Sequence, residues 1–321
     1  MKKLLCFFLV FLLLSGCAPA KVKETTTYLD VFDTVTTVIG DTEAAEAIHT
    51  QLLRYHQLFD IYHTYDGMNN LKTVNDQAGI APVQVDEAII DLLSDCVDYY
   101  HLTDGRVNVV MGSVLQLWHT ARTESLENPD GAYIPSPDAL AEAAKHTDIG
   151  NLVIDRENST VYLQDAEMSL DVGAVAKGWA AQRAAESAPE GVLISMGGNV
   201  VATGPKAENT PWTVGIQDPH GTDIRQKLPL SEGAIVTSGD YQRTYTVNGQ
   251  DYPHIIDPET GMPAMLWSSV TVICPDSALA DALSTALFLM PLEEGSDLAR
   301  KCGAEAIFID KNGSLYSAES E

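Results

Sequence analysis

Residues 277–290 read Ser-Ala-Leu-Ala-Asp-Ala-Leu-Ser-Thr-Ala-Leu-Phe-Leu-Met. Nearly every position is small or apolar, so the stretch predicts a helix buried on most of its sides. Such a helix needs other elements packed around it. Asp281, Ser284 and Thr285 stand at i, i+3 and i+4 and share one face. A buried carboxylate with no Lys or Arg on its own helix is costly to desolvate. A hard cation offsets that cost, and Asp and Thr oxygens suit Mg²⁺, which keeps part of its water and often also holds substrate phosphates. The bland reading of the same residues is an Asp that faces water or bonds a neighbouring backbone N–H.

Three further segments carry chemistry-bearing residues. In Asp171-Val172-Gly173-Ala174-Val175-Ala176-Lys177, a strand runs into a glycine and a helix begins. Free N–H groups and the positive dipole end make that start an anion site, with Lys177 one turn in. A plain strand–helix corner with a surface lysine explains it too. It is not a Walker loop, because GxxxxGK[ST] is absent. Gly197-Gly198-Asn199 after an apolar strand presents N–H groups to a phosphate or is simply a turn. His254, beside Ile255 and Ile256, precedes a turn fixed by Pro258, Gly261 and Pro263. It is a candidate proton acceptor near neutral pH, or a half-buried histidine bonded to backbone.

The charge balance limits what these sites can meet. Lys+Arg is 19 against Asp+Glu 45, a formal net charge of −26 over 321 residues. A surface that negative repels nucleic acid and anionic lipid. A phosphate-bearing ligand therefore needs a local device: a metal, a lone Lys, or backbone N–H groups. The first twenty residues have Lys2 and Lys3, an apolar run to Leu14, and then Ser15-Gly16-Cys17. This is the pattern of a secretory signal peptide, too short for a comfortable membrane span. The lone cysteines Cys96, Cys274 and Cys302 show no CxxC and no metal-like spacing, so no disulfide framework is expected.

Periodicity predicts a strand over 28–39 and helices over 43–62 and 86–102, with a loop over 65–75. It leaves 107–118 ambiguous and places a surface insertion at 121–137, followed by a short helix over 137–146. Two strands are expected within 151–164, another over 168–172, and a helix over 174–188. Further strands follow at 191–196, 212–217, 234–238, 242–247 and 270–274, and a hairpin turns at Lys311-Asn312-Gly313. Helices and strands mix without βαβ alternation, which predicts a single α+β domain.

In order and separation, DVGAVAKGWA, SMGGNV, VTSGDYQRTY, YPHIIDPETGMPA and SVTVICPDSALADALSTALF resemble the ApbE family of flavin transferases. The resemblance runs from about residue 28 to 310. It implies an α+β fold of the ApbE, T-fold-like kind over 28–321. Separately, Leu14-Ser15-Gly16-Cys17 resembles the lipobox of bacterial lipoproteins. The bland reading is an ordinary secretory signal with an accidental Cys. The lipobox implies a lipoprotein signal peptide over 1–16, a lipidated Cys17 and a tether over 17–27, and many ApbE-family members are anchored in this way. The protein is then anchored to the cell membrane on its extracytoplasmic face.

The resemblance further implies that FAD and Mg²⁺ bind and that FMN is moved onto a Thr or Ser hydroxyl of a target flavoprotein, releasing AMP. The target carries a D-x-[ST]-[GA]-[AS]-[ST]-like segment. Asp281 and Thr285 match metal-binding side chains, with Ser284 nearby, and Ala174 matches a carbonyl donor. Asp171 and Lys177 match flavin-nucleotide contacts, and Phe32 and Tyr65 match N-terminal FAD contacts. Arg106-Val107-Asn108 matches a backbone stretch along the nucleotide, Ile255 lies beside the ligand, and His254 matches the base for the acceptor hydroxyl. Asn108 replaces an Asp of the family pattern, Phe32-Asp33-Thr34 replaces Met-Gly-Thr, and Asn199 follows Gly197-Gly198 in place of Asp. Two other activities use the same residues: FAD hydrolysis to FMN and AMP, and FAD binding without chemistry.

Overall fold

The computed structural model describes residues 23–241 and 243–319. The expected signal peptide, Cys17 and most of the tether lie outside the described residues, as does Gln242 in the expected strand 242–247. In chain order the strands are β1 (Glu24–Val31), β2 (Thr34–Gly40), β3 (Val83–Gln84), β4 (Leu152–Asp155), β5 (Thr160–Leu163), β6 (Leu193–Met196), β7 (Asn199–Thr203) and β8 (Trp212–Gln217). They continue with β9 (Ile224–Leu230), β10 (Glu232–Gly239), β11 (Thr244–Val247), β12 (Gln250–Pro253), β13 (Trp267–Cys274), β14 (Glu305–Asp310) and β15 (Leu315–Ala318). The helices are α1 (Thr42–Phe59), α2 (Leu71–Asp76), α3 (Glu87–Leu102), α4 (Gly112–Glu127), α5 (Pro137–Ala143), α6 (Ala176–Ser187), α7 (Ser277–Phe288) and α8 (Leu292–Lys301).

Eight strands form one sheet in the order β1-β2-β6-β7-β10-β13-β14-β15, every neighbouring pair antiparallel. Helix α7 packs on β10 and β13, and α6 packs on α7. Phe288, Leu283 and Leu287 of α7 join Val236, Val270 and Val272 of the sheet in the main core. The sheet's other face is covered by the β8–β9 hairpin, where Trp212, Val214 and Leu230 meet Ala202 and Ile235. The α+β expectation therefore holds, as helices on one face and a hairpin on the other. No described helix is long and apolar enough to cross a membrane.

Local chemistry sets the helix starts. Asp41 accepts from Ala44 N–H to cap α1, Asp86 caps α3, and Asp276 caps α7. Helix α2, which falls inside the expected loop 65–75, begins with a reciprocal capping box between Asn70 and Thr73. The end of the ambiguous run 107–118 and part of the expected insertion become α4, while 107–111 stay outside it. The strands β7, β9 and β12 and the helix α8 lie where no element was expected.

Two differences shape the site. The expected single strand 28–39 is a hairpin, because Phe32 and Asp33 both take positive φ (52° and 50°) and reverse the chain. The bulky Phe32 gives no turn signal of the usual Gly or Asn kind. The segment 168–172 is extended but joins no sheet. Its polar backbone is satisfied instead by Gly112 N–H on the Ser169 carbonyl, Asp171 N–H on the Val109 carbonyl, and the Asn75 side chain on both groups of Leu170.

Candidate active site

A cavity of about 570 Å³ opens where the start of α6, the α7 face, the ends of β10 and β12 and the β1–β2 turn converge. That size suits a cofactor or small-molecule ligand. Phe32, Arg106, Val107, Asn108, Asp171, Ala174, Lys177, His254, Ile255, Asp281 and Thr285 all line it. The structure thus brings eleven of the expected residues to one place from segments far apart in the chain.

The centre is a contact between α6 and α7. Asp281 is only 4% exposed, yet among the described residues no Lys or Arg pairs with it. Its Oδ2 accepts from Gly178 N–H at 2.7 Å. Helix α6 has no side-chain cap of its own at Val175. Asp281 supplies that cap from the neighbouring helix, in favourable alignment with the α6 dipole. Because Gly178 N–H turns toward Asp281, the Ala174 carbonyl one turn back loses the helical donor it would otherwise have.

The bland reading of Asp281, a bond to a neighbouring N–H, therefore describes one oxygen and leaves the other. One carboxylate oxygen, the Thr285 hydroxyl and the Ala174 carbonyl are hard donors around a cation-free buried charge. That set fits Mg²⁺, which takes few protein ligands and retains water. It does not require a carboxylate cluster, and no group of three or more His, Cys, Asp and Glu gathers anywhere among the described residues.

His254 lines the same cavity. Its Nδ1 is buried with no hydrogen-bond partner among the described residues. Burial, then the charges of Arg243, Lys177 and Arg122, hold its pKa down at about 3. The imidazole is neutral at physiological pH. Asp171 lies beside the start of α6 and accepts from Gly173 N–H at 2.8 Å. Burial raises its pKa, and that bond only partly opposes the rise.

Phe32 is pinned by its own N–H on His56 Nδ1 at 3.1 Å, and its ring meets that histidine edge-on. Arg106 reaches across to Glu259 at 3.3 Å and Asp257 at 3.6 Å, tying its loop to the turn that follows His254. Trp118 Nε1 donates to the Gly261 carbonyl at 2.8 Å and holds the same turn from α4. The Asn108 side chain is committed to the Thr147 carbonyl and Val110 N–H, which fixes its loop.

Two expected residues stand back from the cavity. Tyr65 is not in its lining; its hydroxyl donates to Asp60 at 2.8 Å, and burial with that carboxylate pushes its pKa up to about 12. Tyr62, three residues earlier, takes the place on the wall. Ser284 is fully buried against Ser238, with Oγ atoms 2.8 Å apart, and donates to the Asp281 carbonyl. It joins α7 to β10 rather than facing a ligand.

The cavity also holds residues that the sequence reading did not single out, Tyr62, His119, Arg122 and Arg243, together with Asn199 of the Gly-Gly-Asn segment. Asn199 is 1% exposed, and its Nδ2 has no partner among the described residues. Gly197 and Gly198 before it both take positive φ and form the β6–β7 hairpin turn. The Gly-Gly signal thus marked the turn, and Asn199 follows it in the cavity lining. No local pattern marks Arg122, which sits mid-helix.

The ApbE family model matches residues 24–308. This chain belongs to the ApbE family. The FAD:protein FMN transferase of Treponema pallidum is 37% identical over 260 residues, 74% of this chain and 70% of that protein. The FAD:protein FMN transferase of Escherichia coli K12 is 29% identical over 283 residues, 85% of this chain and 78% of that one. Among solved structures, the ApbE protein of Thermotoga maritima superposes with TM-score 0.82 at 31% identity, covering 93% of this chain and 97% of that one. The flavin transferase ApbE of Vibrio cholerae, at 23% identity and TM-score 0.75 over 93% and 98% of the two chains, shares the fold. The hairpin at Phe32, the α6–α7 contact and the His254 turn are thus parts of an ApbE-family domain.

Proposed function

We propose that this ApbE-family enzyme is an FAD:protein FMN transferase that moves FMN from FAD to a Thr or Ser hydroxyl of a target flavoprotein, with Mg²⁺ and with release of AMP. The observation that carries this reading is the presence of two groups in the lining of one cavity: a buried carboxylate without a cationic partner among the described residues, Asp281, and a neutral histidine, His254. Family membership and the names of the relatives support it.

FAD is a diphosphate ester. Transfer forms a bond from the acceptor oxygen to the FMN-side phosphorus and breaks the bond from that phosphorus to the AMP phosphate. Asp281, Thr285 and the Ala174 carbonyl would hold Mg²⁺, which when bound neutralises charge on the phosphates. Lys177 and the N–H end of α6 add positive potential at the same end of the cavity. His254 takes the proton of the acceptor hydroxyl as the new bond forms. Phe32 and Ile255 give apolar contact beside the ligand, and the Arg106–Asp257–Glu259 tie keeps the His254 turn in place. We further propose that the acceptor presents a D-x-[ST]-[GA]-[AS]-[ST]-like segment. The enzyme would work on the extracytoplasmic face of the cell membrane, held by lipidated Cys17.

The test is mass spectrometry of a synthetic acceptor peptide incubated with the protein, FAD and Mg²⁺. The expected result is an FMN phosphoester on Thr or Ser, one AMP per modified peptide, and no reaction with chelator. AMP release at the same rate without any peptide overturns the transfer reading in favour of hydrolysis. Bound FAD that survives unchanged overturns both.

A further inference from the structure

Two arginines of this cavity lack a carboxylate partner. Arg122, on α4, is half-buried, with Nη2 3.2 Å from Nδ1 of His119. Arg243, in the turn between β10 and β11, lines the same cavity. The Tyr62 ring lies over His119 at 5.3 Å, so Tyr62, His119 and Arg122 stand together in the lining that Arg243 also joins. Among the described residues, neither arginine has an Asp or Glu oxygen within 4.0 Å. Elsewhere Arg54 pairs with Asp86, Arg106 with Asp257, Arg156 with Asp91, Arg183 with Asp95 and Arg300 with Asp297.

Among the described residues Arg225 also lacks a carboxylate partner and bonds the Gly313 carbonyl instead. In a chain with 45 acidic and 19 basic residues, however, a half-buried Arg122 and an exposed Arg243 that line one cavity without a carboxylate partner stand apart from the paired arginines. Arg122 carries a cost as well. Burial, followed by the Arg243 charge, holds the Arg122 pKa below its ordinary value. Asp171 lines the same cavity but is bonded to Gly173 N–H. An oxyanion placed between the two forks would remove the repulsion and accept several charge-assisted hydrogen bonds. Both arginines line the same cavity as His254.

We propose that Arg122 and Arg243 form an oxyanion-binding subsite that grips a phosphate or carboxylate oxygen of an incoming substrate and positions it toward His254. The inference rests on the transferase reading for what the substrates are. The oxyanion has two sources: the diphosphate of FAD, or an acidic side chain near the acceptor hydroxyl.

The experiment uses Arg122→Gln, Arg243→Gln and the double variant, with Arg122→Lys and Arg243→Lys where a glutamine variant does not fold. Arg225→Gln is the control, because Arg225 lies outside the cavity and bonds the Gly313 carbonyl. Binding of FAD and of phosphate-free riboflavin is titrated by flavin fluorescence with Mg²⁺ and no acceptor. Transfer is then measured with an acceptor peptide carrying Asp two residues before Thr and with its Asn counterpart.

A rise of about ten- to a hundredfold in the FAD dissociation constant, with riboflavin unchanged, supports the subsite and assigns it to phosphate. Unchanged FAD binding, with that rise in KM for the Asp peptide alone, supports it and assigns it to the acceptor. Folded variants that keep both flavins and both peptides within about twofold of wild type overturn it, as does equal weakening of FAD and riboflavin. If the wild-type protein transfers nothing, the transferase reading fails while the binding titration still reads the subsite.

Discussion

Gly178 and Asp281 touch so closely that no side chain fits between them: a methyl group on Gly178 would lie 2.3 Å from Asp281 Cβ and 2.4 Å from the Ser277 carbonyl. The glycine lets α7 bring its carboxylate to the first turn of α6. The resulting 2.7 Å hydrogen bond caps one helix, orients the buried acid and frees the Ala174 carbonyl. The helix packing and the candidate cation site are the same contact.

Gly178→Ala therefore damages both. The added methyl meets backbone and a buried Cβ, not the end of a flexible chain, so α6 and α7 must separate. Overpacking of this kind costs about 1–3 kcal/mol, read as a lower melting temperature. The protection that Mg²⁺ gives against thermal unfolding should fall with it. A variant as stable and as responsive to Mg²⁺ as wild type would show that the helices do not meet as described.

Asp281→Asn separates charge from shape. The amide oxygen can still accept from Gly178 N–H, and a costly buried charge is removed, so metal-free stability should stay within about 1 kcal/mol of wild type. FMN transfer should fall at least ~10²-fold, and added Mg²⁺ should no longer raise the melting temperature. The two readouts are a thermal melt with and without Mg²⁺ and the rate of AMP release. Retention of full Mg²⁺-dependent activity would remove Asp281 from the site.

Asp281 and His254 were legible in the sequence because their environments are local: a carboxylate in an apolar helix, and a histidine ahead of a Pro-Gly-Pro turn. The α+β class followed in the same way from element order. Ser284 shares a helix face with Asp281 and Thr285 by spacing, but its bond to Ser238 on β10 turns it away from the cavity. Tyr65, which only the family resemblance named, is held back by its bond to Asp60. Arg122 carries no local signal; only the folding of α4 against the β11–β12 hairpin puts it opposite Arg243. The Phe32 turn was hidden because its positive φ is imposed by the hairpin and by His56, against the preference of the residue.

The segment 168–172 shows what replaces a sheet partner. Asn75 donates to the Leu170 carbonyl at 3.0 Å and accepts from Leu170 N–H at 2.7 Å, an imitation of strand pairing by one side chain. Asn75→Asp keeps the acceptor and removes the donor, leaving the Leu170 carbonyl unsatisfied. The expected loss is about 1–3 kcal/mol by urea unfolding, with a raised KM for FAD because Asp171 and the start of α6 follow directly. A variant with unchanged stability and KM would show that this segment is held by other contacts.

The depressed pKa of His254 has two consequences for pH. The folded group titrates at about 3, against an ordinary value of 6.5. The free enzyme therefore keeps its base unprotonated on acidification through the usual histidine range, and kcat/KM for FAD should stay level from about pH 8 to pH 5. Stability moves the other way. Between those two pKa values the unfolded chain binds a proton that the folded chain does not, so this contribution is present above about pH 6.5 and is lost as pH falls toward 3. His254→Asn removes the difference. Urea unfolding at pH 5 and pH 7.5 should show wild type losing more stability on acidification than the variant, while the variant loses activity at both pH values. A kcat/KM inflection near pH 6.5 that disappears in His254→Asn would mean that the imidazole is solvated, contrary to its burial here.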